Sequence, residues 1–134
     1  MQGYFQRPTN PTVKHELTNT ELFKLFFENN LMFKVSIDND QFKPLVKAIG
    51  EYNEFNPDRV IRVLLPLIKT DEDIKISIGR EFSPVIYLEK YIEKDTNLEE
   101  EKQKFDKIGK RLLADEISID NVQDIKIKVR YWFD

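Results

Sequence analysis

The amino-acid sequence predicts one α+β domain, a small, mostly antiparallel sheet packed by four or five helices and preceded by an extended N-terminal arm. Three observations predict it. Asp124 through Asp134, D-I-K-I-K-V-R-Y-W-F-D, alternates apolar and polar residues strictly, as a strand with one buried face requires. Two segments begin with Thr followed three residues later by Glu (Thr18/Glu21 and Thr96/Glu99) and continue with apolar residues at helical spacing. Helical and strand patterns are intermixed without regular βαβ spacing, and no repeat or linker divides the 134 residues, a length that suits one domain.

Residues 1–16 show no periodicity and contain Pro8, Thr9, Asn10, Pro11 and Thr12, so they read as an extended arm ahead of a domain spanning 17–134. Tyr4 and Phe5 lie side by side on it. A solvated tail is one reading of the arm; docking on a neighbouring subunit through those two rings is the other.

The first helix is expected from Thr18 to about Asn30, with Thr18 as cap, Glu21 at N3, and Leu17 and Leu22 at the staple positions. Leu22, Phe23, Leu25, Phe26 and Phe27 cover more than half its circumference, which wedges it between two surfaces or leaves a patch for a partner. Met32–Ile37 reads as a strand with Phe33, Val35 and Ile37 inward. Asp40 is the expected cap of a second helix, Gln41 to Asn53, with Pro44 in its first turn and a stripe of Phe42, Leu45, Val46, Ile49 and Tyr52.

Residues 56–69 carry two signals. Asn56 and Pro57 start a helix, whereas V-I-R-V-L-L-P-L-I suits a buried strand; a helix ending before Pro66 is the expectation. Asp71 to Asp73 turns into a strand with Ile74, Ile76 and Ile78, stopped at Gly79. Ser83-Pro84 then starts a helix through about Glu93, with Val85, Leu88 and Ile92 on one face. The strongest helical pattern is Asn97–Asp115, with a Thr96/Glu99 capping box and a stripe of Leu98, Phe105, Ile108, Leu112 and Leu113. Gly109 inside it marks close packing, since an interior Gly costs about 1 kcal/mol relative to Ala. Ile117-Ser118-Ile119 and the closing strand complete the sheet.

Composition narrows the chemistry. No cysteine rules out thiol catalysis and disulfides, and the only histidine, His15, lies on the arm. The four glycines are isolated, so no phosphate-cradling loop exists. Asp38-Asn39-Asp40 and Asp71-Glu72-Asp73 are the acidic clusters, and both fall where caps and turns favour Asp, so neither is assigned a metal. No catalytic residue, metal or cofactor is assigned, and a non-enzymatic chain is expected. No apolar run reaches the roughly 18 residues of a membrane span, and a cytoplasmic location, or one within a viral particle, is the expectation.

The outer face of the final strand holds the strongest candidate site, Lys126, Lys128, Arg130 and Trp132. Three readings compete for it. Lysines on an exposed edge strand keep sheets from pairing with one another; cations beside an indole hold a phosphate backbone and stack a base; or the face meets an acidic protein. The net charge of −3 gives no global drive toward nucleic acid. The leading expectation is a protein–protein interaction or assembly module that binds a protein partner or itself through Tyr4, Phe5, Lys126, Lys128, Arg130 and Trp132. The alternative is a nucleic-acid-binding protein using the basic face. Scarce Ala and abundant Lys, Ile and Asn suggest an AT-rich genome, for which a phage or mobile-element structural or accessory protein is the favoured setting.

Overall fold

Capping chemistry fixes where the chain enters the fold. The Thr18 N–H donates to Glu21 Oε1 at 2.9 Å and the Glu21 N–H to Thr18 Oγ1 at 3.2 Å, the reciprocal bonds expected of a capping box. The computed structural model describes residues 18–21, 24 and 37–134. The arm with Tyr4 and Phe5, the staple residues, the phenylalanines of the first helix and most of the expected strand at 32–37 lie outside the described residues. Ile37 is buried, and its N–H donates to the Ile76 carbonyl at 3.0 Å.

Three further helices and four strands follow: α1 (Asn39–Ile49), α2 (Pro57–Thr70), β1 (Ile74–Glu81), β2 (Ser83–Tyr91), α3 (Leu98–Leu112), β3 (Glu116–Val122) and β4 (Lys126–Trp132). The sheet runs β1-β2-β4-β3 with every neighbouring pair antiparallel. The architecture is therefore α+β, as expected. β2, α3 and β3 form a crossover whose two strands are held apart by β4.

Several boundaries differ from expectation. Asp38, not Asp40, caps α1, because Gln41 Oε1 accepts the Asp38 N–H at 3.2 Å and so occupies N3. Pro44 consequently lies beyond the first turn, and Tyr52 falls past the helix end and is exposed. In α2 the Asn56 carboxamide accepts the Arg59 N–H at 3.1 Å, as expected of a cap before Pro57. The helix nevertheless continues through Pro66 to Thr70. Pro66 costs about 3 kcal/mol in a helix interior. Burying Val60, Val63, Leu64 and Ile68 on the same helix, at about 2 kcal/mol each, outweighs that.

The largest departure is β2, a strand where a helix was expected. β1 does not stop at Gly79 but runs to Glu81, and each of its residues pairs with one from Ser83 to Lys90. Phe82 alone makes the turn, with φ +68. Pro84 lies within β2, where its carbonyl accepts the Phe133 N–H at 3.1 Å. In α3 the cap is Asn97, whose Oδ1 accepts the Glu100 N–H at 3.2 Å, rather than Thr96. The helix closes at Leu112, and Leu113, expected in the buried stripe, takes a left-handed conformation (φ +61) and is exposed.

The helices pack on one face of the sheet. That inner face presents Ile74, Ile76, Ile78, Ile86, Leu88, Ile127, Val129 and Tyr131, all buried, against Phe42, Leu45, Leu64, Phe105 and Leu112. Phe133 extends this core by meeting the Phe55 ring edge-on at 5.1 Å. Gly109 does mark close packing. A Cβ there would lie 2.6 Å from Ile117 Cδ1 and 2.7 Å from Tyr131 Cε1. The Tyr131 hydroxyl donates to the Phe105 carbonyl at 2.6 Å, binding β4 to α3, and burial, with Asp106 nearby, pushes the phenol far above its ordinary pKa.

Candidate functional site

Alternation along β4 turns Lys126, Lys128, Arg130 and Trp132 away from the helices, as expected, while Ile127, Val129 and Tyr131 enter the core. Ile125 does not; it sits in the β3–β4 turn and is exposed. β4 is also not an edge strand. It pairs with β2 on one side and β3 on the other, so its lysines have no free edge to guard.

An interior position gives those cations cross-strand neighbours of opposite sign. The register aligns Lys75, Glu89, Lys128 and Asp120 in one row across β1, β2, β4 and β3, alternating in charge. Lys126 Nζ lies 3.1 Å from Glu89 Oε1 and 5.6 Å above the Tyr91 ring centroid. Arg130 Nη1 lies 3.0 Å from Glu116 Oε1, with its guanidinium 5.8 Å from the Trp132 ring centroid. Lys128 projects into solvent between Glu89 and Asp120. Opposite charges facing one another across a sheet contribute roughly 0.2–1 kcal/mol each. The result is a charge-compensated face with aromatic inserts rather than a basic patch.

The two ends of this face differ. Gly79, Ser83 and Val85 are buried near the β1–β2 turn, and the Ser83 hydroxyl has no hydrogen-bond partner. At the opposite end Tyr91, Lys128 and Asp120 are exposed.

The acidic clusters are occupied by structural work. Asp38 opens α1, and Asp71 accepts the Asp73 N–H at 3.0 Å as α2 ends. Asp71 also lies 3.1 Å from Lys90 Nζ, which in turn is 3.0 Å from Glu101 Oε1. Lys90 thus clamps the end of α2 to the start of α3 from the end of β2. Burial alone would lower the Lys90 pKa, yet bonding to Glu101 and Asp71 holds it above the ordinary value. For Asp71 burial acts to raise the pKa, and the Lys90 and Asp73 bonds override it to hold the carboxyl low. Among the described residues no three of His, Cys, Asp and Glu converge as metal ligands would. No described helix is long and apolar enough to cross a membrane.

Compared with known proteins, the chain matches no family model, no curated protein and no solved structure. Sequence reasoning missed Glu89, Glu116 and Asp120 as members of the outer face. Glu89 was hidden by reading its segment as helix. The other two required knowing which strand lies beside β4.

Proposed function

We propose that this chain is a non-enzymatic protein–protein interaction or assembly module that uses the open end of its outer sheet face, with a phage or mobile-element assembly as its setting. One observation carries the reading: the Lys75–Glu89–Lys128–Asp120 row, bordered by exposed Tyr91. Alternating charge fits a protein surface of matching alternation, where complementary potentials set register and exclude wrong partners. A phosphate backbone asks for cations in excess, each worth one released counterion. Here Lys126 and Arg130 already sit on carboxylates, which disfavours nucleic acid.

The test is site-specific photo-cross-linking from position 128 in cells of the native source, together with light scattering of the purified full chain. A discrete protein adduct, or a mass that rises with concentration and falls back in Lys128→Glu, is expected. A chain that stays monomeric and yields no adduct from position 128 or 120 overturns the reading. Retention on single-stranded DNA at low salt, lost in Lys128→Glu with Arg130→Glu, would transfer the site to nucleic acid.

A further inference from the structure

A second surface lies on the helical side, where α2 and α3 diverge to leave a groove of about 690 Å³. Its floor is apolar, formed by Val63, Leu67 and Ile108. Its α3 wall carries Lys104, Lys107 and Arg111. Their spacing of three and four residues puts all three on one stripe of the helix, roughly 10 Å long at 1.5 Å per residue.

The cations of this wall differ from those the fold ties to carboxylates. Lys90, Lys110, Lys126 and Arg130 each sit within 3.1 Å of a carboxylate oxygen. Among the described residues Lys104, Lys107 and Arg111 make no ion pair, and Lys104 Nζ lies 5.6 Å from the Phe105 ring centroid. Glu100, one turn before Lys104 on the same helix, is the sole acidic residue lining it among the described residues. The opposite wall adds Pro66, whose missing N–H leaves the Arg62 carbonyl without its usual helix donor. An apolar floor beside three unpaired cations asks for a ligand with an apolar stripe and a flanking acidic stripe.

We propose that this groove docks an acidic amphipathic helix of a protein partner, with apolar residues at i, i+3 and i+7 on the floor and carboxylates against Lys104, Lys107 and Arg111. The site deepens the interaction reading but is separate from the sheet face, so each stands or falls on its own test. Charge argues against the chain's own arm as occupant, since residues 1–16 carry Arg7 and Lys14 against the single acid Glu16.

The experiment is selection from a displayed library of helical peptides on the full chain, in parallel with Lys107→Glu/Arg111→Glu. Both substituted side chains are exposed, so the variant is expected to melt like the parent. The parent should enrich peptides rich in Asp and Glu with apolar residues at helical spacing. Their binding, read by fluorescence anisotropy, should weaken at least tenfold in the double variant and fall with added salt, while photo-cross-linking from position 128 is unaffected. Identical enrichment on parent and variant, or none on either, overturns the proposal. So does concentration-dependent self-association abolished by the double substitution, which would make a second copy the occupant. Enrichment that appears only after deletion of residues 1–16 would instead assign the groove to the arm.

Discussion

Gly109→Ala is the sharpest probe of how this fold is held together, because two effects of opposite sign meet at one atom. In an exposed helix interior the change stabilises by about 1 kcal/mol through helix propensity. Here the added Cβ would lie 2.6 and 2.8 Å from Ile117 Cδ1 and Cγ1 and 2.7 Å from Tyr131 Cε1. Tyr131 does not give easily. The Tyr131 ring is fully buried and its hydroxyl is fixed to the Phe105 carbonyl. Overpacking costs about 1–3 kcal/mol, and contact on two side chains points to the upper end. The expected net effect is therefore destabilisation by about 2 kcal/mol. The assay is denaturant unfolding followed by Trp132, the single tryptophan. Adding Ile117→Ala removes two of the three clashing atoms, so the double variant should be at least about 1 kcal/mol more stable than the sum of the single changes. A Gly109→Ala chain more stable than the parent, or strictly additive behaviour with Ile117→Ala, would refute the close approach of α3 to the sheet.

Tyr131→Phe should cost about 1 kcal/mol by deleting one buried hydrogen bond, read from the denaturation midpoint with Trp132 emission of the native state unchanged. Pro66→Ala restores a donor for the Arg62 carbonyl on an exposed position, and melting should show a gain of about 1–3 kcal/mol; a loss would refute the cost assigned to Pro66. Lys90→Met removes the clamp between α2 and α3. The Asp71 carboxyl is held below its ordinary 3.8, so its contribution is complete above that pH and lost as pH falls through the lower folded value; Lys90 is held above 10.5, so its contribution is lost as pH rises through the higher one. The stability gap between parent and Lys90→Met should thus be widest from about pH 5 to 10 and narrow on both sides. A gap independent of pH would refute the ion triad.

Local signals survived folding, and non-local ones were invisible in advance. The Thr18/Glu21 box and the Asn56-Pro57 start are short-range patterns, and each appears as read; the β4 alternation holds from Lys126 to Phe133 but not at Ile125. Caps slipped by one or two residues where several candidates sat together: Asp38 before Asp40, and Asn97 after Thr96. The helix expected at Ser83 failed because V-I-Y-L-E-K-Y-I satisfies both helical and strand spacing, and S-P imitates a helix start. Pairing with β1 and β4 decided the outcome, and no window of sequence reports that. The turn at Phe82 lacked the Gly or Asn that usually announces positive φ. At the candidate site the residues facing outward were legible, but their carboxylate neighbours depend on strand pairing, Glu89 from 37 residues before Lys126 and Glu116 and Asp120 from the preceding strand.

Strand order shapes how this sheet is completed. β4, the last of the described strands in chain order, fills the middle of the sheet, with β2 and β3 roughly 10 Å apart on either side of it, two strand spacings. Without Lys126–Trp132 in place the edge of β2 that faces it is bare and open to mispairing. Insertion of one seven-residue segment closes both pairings at once.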